Sequence, residues 1–214
     1  HTTVQALEWI PRVPDGRRAA FEEAARRDGF AKFEITEKSA DRGLAVAARR
    51  PEYFPVYFVE PYEGNEPALG YDLASDSTRL EALIRSRDSG KPVATSPIQI
   101  VQEKGDQKGV LIFWPIYRKG APIESVESRR ANLAGFVLGV FRVGDLVQGA
   151  IAHVAKRNVD ICVFDESLPP RDQCLNFCSF RPEGVTVSSI LPEPASSFRH
   201  GLRREAAIEL PGRS

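Results

Sequence analysis

The sequence has no apolar run approaching the roughly 20 residues that a membrane-spanning helix requires, so no segment of it reads as a span. Nor is there a surplus of charge of either sign. Lys and Arg number 29, and so do Asp and Glu, which leaves no global field to recruit nucleic acid or an anionic membrane. Cysteine occurs three times, at Cys162, Cys174 and Cys178, too few and odd in number for a disulfide scaffold. Cys162 alternates with apolar neighbours and reads as a small buried hydrophobe. Cys174 and Cys178 fall in a polar, proline-rich stretch where one bridge is expected if the compartment is oxidising. Methionine is absent, no secretory signal is legible, and the chain opens at His1, so it reads as an excised fragment.

The common catalytic motifs are absent as well. No glycine-rich phosphate loop opens a helix, and there is no H-E-x-x-H, C-x-x-C or G-x-S-x-G. Cys174 and Cys178 with His153 or His200 match no common zinc spacing, and no third group would orient a Cys-His pair. The arginine pairs (Arg17-Arg18, Arg26-Arg27, Arg49-Arg50, Arg129-Arg130, Arg203-Arg204) are scattered and flanked by acids. They read as solvated faces rather than a nucleic-acid groove. No cofactor and no metal is implied.

What is present is an ordinary soluble composition, 42% hydrophobic and 27% charged over 214 residues, enough for one large domain or two small ones. The most organised stretch runs from Glu60 to Tyr117. A helix is predicted after Ser75 or Asp76, whose side-chain oxygens can cap it, with Leu80, Leu83 and Ile84 as its apolar stripe and Ser89-Gly90 as its stop. Arg85 and Arg87 sit near the negative end of its dipole. Short strands follow at 92–95 and 98–102, then a polar hairpin over 104–109, then an apolar strand over 110–114. A helix across an antiparallel sheet leaves a concave gap, which is where a small molecule would bind.

On either side the signals continue. Val4, Leu7, Trp9 and Ile10 read as the end of a helix, and Asp15 or Gly16 starts another that Gly29 closes. Phe33 and Ile35 suggest a short strand, 39–50 a loop or short helix, and 53–59 one strand. A short helix over 126–134, a buried strand over 135–142 and a helix over 145–156 follow, then strands at 159–163, near 185–190 and at 206–210. Strands and helices in this order, with antiparallel hairpins, argue an α+β fold.

The run Glu60, Pro61, Asn65, Ala68, Leu69, Gly70, Asp72 resembles the signature of CHASE domains. So do Arg79, Gly90, Gln102-Glu103, Pro115 with Tyr117, and Gly135, Gly139, Phe141 and Arg142. These are extracytoplasmic sensory domains of receptor histidine kinases and diguanylate cyclases. The likeness is collinear from about Leu7 to Leu146. It implies an N-terminal stalk helix (1–30), a membrane-distal PAS-like ligand-binding lobe (31–142) and a membrane-proximal PAS-like lobe (143–214), both with antiparallel sheets. It implies a small-molecule ligand, a homodimer through the N-terminal helix, and membrane tethering in a full-length protein of the inner membrane.

By residues alone, Asp72 is either a turn or cap residue bonding local amides, or a carboxylate facing the cavity to accept N–H groups from a ligand such as a heterocycle or amine. The resemblance favours the second role and places the other ligand-binding positions on Ala94 (through its backbone), Glu103, Trp114, Phe136 and Gly139. Trp114 and Phe136 would supply apolar walls and Gly139 room. The expected function is therefore small-molecule sensing without catalysis in this fragment. The rivals are a soluble hydrolase or transferase using Asp72 and Glu103 as paired carboxylates, and a ligand-free dimerisation module.

Overall fold

The computed structural model describes residues 4–39, 43–99, 108–151, 159–166, 168, 174–181, 184–188 and 206–212. In chain order the elements are β1 (Val4–Pro11), β2 (Val13–Pro14), α1 (Arg18–Arg27), β3 (Thr36–Lys38), β4 (Leu44–Val46), β5 (Glu52–Tyr53), β6 (Phe58–Glu60), α2 (Ser77–Ser89) and β7 (Val93–Ala94). They continue with β8 (Ile98–Gln99), β9 (Lys108–Tyr117), α3 (Val126–Asn132), β10 (Leu133–Arg142), α4 (Val143–Ile151), β11 (Val159–Phe164), β12 (Cys174–Arg181) and β13 (Gly184–Ser188). Helices mixed with antiparallel sheets make the fold α+β, as expected. The chain divides into two compact units, one of Gln5–Ser96, Leu111–Val140 and Leu210–Ser214, the other of His1–Val4, Pro97–Val110 and Phe141–Glu209.

The first unit is built on strands in the order β6-β1-β10-β9-β7. β1 and β6 run antiparallel, with Glu8 opposite Val59 and Trp9 opposite Phe58, and β7 pairs antiparallel with β9, Val93 opposite Phe113. Strand side chains alternate between faces. Ala6, Glu8, Ile10, Leu111, Phe113, Phe136, Leu138 and Val140 are therefore buried, while Leu7, Trp114 and Val137 are exposed.

Helix α2 starts where the sequence places it. Asp76 caps it by accepting from the Arg79 N–H at 3.0 Å, and Gly90 ends it at φ +70°. Its buried stripe is Arg79, Ala82, Leu83 and Ser86, rotated from the expected one, so Leu80 is half-buried and Ile84 exposed. Two polar side chains cause the rotation. The Arg79 guanidinium lies 5.6 Å from the centre of the Tyr71 ring, and the Ser86 hydroxyl reaches the Phe113 carbonyl at 2.9 Å. A second apolar cluster joins α1 to the loops after it, with Val13, Ala25, Phe33, Ile35, Ala47 and Tyr53 at its centre. Arg18 ties it together, stacking 4.9 Å from the Tyr53 ring centre and donating to the carbonyls of Ala47 and Ile35.

In the second unit β8 pairs antiparallel with the start of β9, Ile98 opposite Gly109. α4 and the antiparallel sheet β11-β12-β13 make up the rest of what is described there.

Several expectations are corrected. The stalk helix expected over 1–30 is a strand over Val4–Pro11, and only Arg18–Arg27 is α-helical in that range among the described residues. The reason is period. Ala6, Glu8 and Ile10 all point inward, and an acidic residue in the inner set hid the two-residue alternation. The helix on which pairing of two copies was expected is therefore replaced by a strand whose neighbours are β6 and β10 of its own chain.

The expected Cys174–Cys178 bridge fails on geometry. Both residues lie on β12, and four residues of extended chain separate their Cα atoms by about 13 Å, against the roughly 4–7 Å a disulfide needs. The strand expected over 53–59 is broken into β5 and β6 around Pro55, and the strand expected at 206–210 is irregular chain. Residues 44–46, expected in a loop or short helix, pair with β3.

Gly135 on β10 has no room for a side chain. A Cβ there would lie 2.3 Å from the Ile10 carbonyl oxygen and 2.9 Å from the Trp9 ring. Gly135→Ala is expected to lower unfolding stability by about 2 kcal/mol or more, since backbone must move to admit the methyl. Urea denaturation followed by Trp fluorescence checks this, and an unchanged midpoint would contradict the packing of β1 on β10.

Candidate functional site

Asp72 is set by the turn before it. Gly70 takes φ +80°, and a Cβ on it would lie 2.3 Å from the Glu34 carbonyl oxygen, so only glycine fits. The Asp72 N–H donates to the Thr36 carbonyl at 2.8 Å, and the residue caps a single 3-10 turn, Leu73–Ser75. Its side chain is wholly enclosed. One carboxylate oxygen accepts from the Phe54 N–H at 2.7 Å and the Ala74 N–H at 3.2 Å. The other accepts from Arg50 Nη1 at 2.7 Å, and the same guanidinium pairs with Glu37. Burial pushes the Asp72 pKa up, against the Phe54 N–H and the Arg50 charge, which pull it down. Asp72 thus makes the local amide bonds of the cap alternative and adds a buried ion pair.

Its partner Phe54 leads to the cavity. The Phe54 ring is 5.6 Å from the Phe136 ring, which is 5.9 Å from Phe113. Between α2 and this wall is a cavity of about 80 Å³, lined by Glu52, Phe54, Leu80, Leu83, Ile84, Arg87 and Phe136. It corresponds to the gap expected between helix and sheet. Five of its lining side chains are apolar and two are charged.

Glu52 and Arg87 belong to a closed set of charges. Arg12 Nε donates to Glu52 at 2.6 Å, the other Glu52 oxygen stands 3.7 Å from Arg87 Nη1, and Arg87 Nε donates to Asp88 at 2.8 Å. Arg130 grips both Asp88 oxygens at 3.0 and 2.5 Å, and Arg12 Nη1 closes the circuit on the Arg130 carbonyl at 2.8 Å. The Arg130 and Arg87 hydrogen bonds hold the Asp88 carboxyl down at about 2.

Two of the predicted residues bear on the cavity, one directly and one only through Phe54. Phe136 lines the cavity, and Asp72 stands behind it, fixing the backbone of Phe54. Ala94 is buried in β7 and its N–H donates to the Pro211 carbonyl at 2.8 Å. Trp114 is 57% exposed on the face of β9 opposite Phe113, so it does not face Phe136. Gly139 is partly buried on β10 between the inward-pointing Leu138 and Val140. Glu103 lies outside the described residues. Sequence reasoning missed Glu52 and Arg87 as a pair. No local signal marks two residues that meet only when β5 is laid against α2.

The fold defines the class as an α+β domain whose antiparallel sheet is covered by one helix over a small, mostly apolar cavity. The profile of the CHASE domain matches residues 1–175, and the chain belongs to that family, a sensor domain of signal-transduction receptors. The chain is 26% identical over 174 residues to Hybrid signal transduction histidine kinase A of Dictyostelium discoideum, covering 78% of this chain and 8% of that protein. It is 28% identical over 116 residues to Histidine kinase 3 of Arabidopsis thaliana, covering 53% of this chain and 11% of that one. Probable histidine kinase 6 of Oryza sativa subsp. japonica is 31% identical over 123 residues, 55% of this chain and 12% of its own length. The chain therefore spans about a tenth of the curated relatives it matches.

Two outcomes test the electrostatics. Asp72→Ala leaves Arg50 Nη1 and two backbone N–H groups without their acceptor, so a loss of about 3 kcal/mol or more is expected by chemical denaturation, well beyond a simple cap. For Asp88 the folded pKa lies near 2 against an ordinary 3.8, so its ionic bonds stabilise above the ordinary value and that stabilisation is lost as pH falls toward 2. Wild type and Asp88→Asn should differ in melting temperature at neutral pH and converge over that acid window.

Proposed function

We propose that this chain is the extracytoplasmic small-molecule sensor of a membrane-bound signalling protein, and that the cavity between α2 and the sheet is its ligand site. The observation that carries the reading is the CHASE match over residues 1–175. The names of the relatives, histidine kinases in three organisms, support a histidine kinase as the output, and a diguanylate cyclase is the other output the family resemblance implies. In this reading the unit carrying the cavity is the ligand-binding lobe, residues 143–214 form a membrane-proximal lobe of the PAS-like kind, and binding is passed across the membrane. The ligand rests on Phe136, while Asp72 acts by holding Phe54 in the wall. No helix among the described residues is long and apolar enough to cross a membrane.

The cavity supports binding on physical grounds. Leu80 and Ile84 are left incompletely packed on a helix whose other side is buried, and the space beside them is of the size that holds a short apolar group. The hydrolase alternative loses its base, because the Asp72 carboxylate already accepts three hydrogen bonds inside the protein and reaches no solvent.

In methyl-labelled protein a bound molecule should shift the Leu80, Leu83 and Ile84 signals together, and Leu80→Phe, which fills the cavity, should remove that response while keeping the fold. Binding that survives Leu80→Phe would move the site elsewhere. For the full-length protein, cleavage of this domain by protease added to spheroplasts whose inner membrane is intact checks the extracytoplasmic assignment, and protection there would overturn it.

A further inference from the structure

We infer that Glu52 and Arg87 form a charged clasp that recognises a zwitterionic α-amino acid with a short aliphatic side chain, the ammonium against Glu52, the carboxylate against Arg87 and the side chain in the cavity. This rests on the reading of the cavity as the ligand site and adds the chemistry of what it takes.

Three observations lead there. Glu52 and Arg87 line the same cavity, yet their nearest atoms stand 3.7 Å apart, within ion-pair range but beyond a hydrogen bond. Each is held from behind by a different partner, Glu52 by Arg12 at 2.6 Å and Arg87 by Asp88 at 2.8 Å, so the two are fixed as a spaced donor and acceptor. Their side chains are 27% and 16% exposed, so they are shielded enough for charge to matter and open enough for a ligand to reach.

The charges choose the head group. A simple carboxylate would meet Arg87 but face Glu52, and a simple amine would meet Glu52 but face Arg87. A neutral amide could bridge both with weaker, uncharged bonds. A zwitterion satisfies both with charge-assisted hydrogen bonds, the stronger kind. The cavity chooses the tail. Apart from Glu52 and Arg87, its lining side chains, including Leu80, Leu83 and Phe136, carry no polar atoms, and about 80 Å³ is roughly half the size of an engineered cavity that admits benzene. A branched three- or four-carbon side chain suits that space, and an aromatic one does not.

The test uses four probes that share an isopropyl group on the 214-residue chain, L-valine, isobutyrate, isobutylamine and isobutyramide, with xenon as an apolar control, read by methyl NMR at Leu80, Leu83 and Ile84. L-valine should bind more tightly than the other three. Glu52→Gln should weaken L-valine about tenfold or more while strengthening isobutyrate, and Arg87→Gln should weaken L-valine similarly while strengthening isobutylamine. A merely structural ion pair would weaken every probe alike or none. If xenon or isobutyramide enters and L-valine does not exceed it, the clasp is overturned and the cavity remains a ligand site. If no probe and no xenon shifts these methyls, the cavity reading falls as well. Should either variant fail to fold, the ranking of the four probes on the unaltered chain still decides.

Discussion

The Asp72 carboxylate, buried and held by two backbone N–H groups and one guanidinium, is the constraint on which the cavity-bearing unit depends. An ionised group enclosed in protein persists only when each of its oxygens is bonded. Here the bonds reach the segment before β6 through Phe54, the turn before α2 through Ala74, and the loop after β4 through Arg50. The stretch from Arg50 to Phe54 is therefore fixed to the turn at Asp72–Ala74 through one side chain. Arg50 extends the tie to Glu37 on β3. Because Phe54 is among the anchored residues, the wall of the cavity is positioned by an interaction that itself stays out of contact with solvent.

The charged circuit at the cavity has the opposite character. Arg12, Glu52, Arg87, Asp88 and Arg130 are all partly exposed, and single pairs of that kind are worth little in isolation. Their effect here is geometric. Arg12 follows β1, Glu52 is on β5, Arg87 and Asp88 end α2, and Arg130 is on α3, so the circuit fixes where the end of the helix sits against two strands. Tyr117 adds to this by donating to the Arg87 carbonyl at 2.6 Å. A helix pinned at its C-terminal end and packed through Ala82, Leu83 and Ser86 leaves Leu80 and Ile84 facing space, which is how the cavity arises.

Membership of the CHASE family gives this arrangement its context, and the details differ from what the family signature alone suggests. The positions that the resemblance marks are spread over both faces of the sheet. Phe136 turns to the cavity, whereas Trp114 turns away, because it is next to the inward-pointing Phe113 on β9 and successive residues of one strand face opposite ways. Ala94 gives its backbone N–H to Pro211. A signature is a list of positions, and pleating decides which of them meet.

The sequence by itself determined the α+β class, the strands at β9 and β10, and above all α2, whose cap Asp76 and stop Gly90 are local devices legible within a few residues. It also determined the family, since ordered short motifs survive without any knowledge of contacts. What it could not determine was anything resting on partners far along the chain. The strand at Val4–Pro11 was masked because Glu8 is buried among apolar neighbours, which only the sheet around it permits. The separation of Cys174 from Cys178 followed from β12 being extended, a state fixed by pairing with β11 and β13. Both roles of Asp72 were open in the sequence, because local composition is the same whether Arg50 and Phe54 come to it or a ligand does. Glu52 and Arg87, 35 residues apart in sequence, became a pair only through packing of the helix on the sheet. Local propensity writes elements, and long-range burial and charge decide which side chains share a cavity.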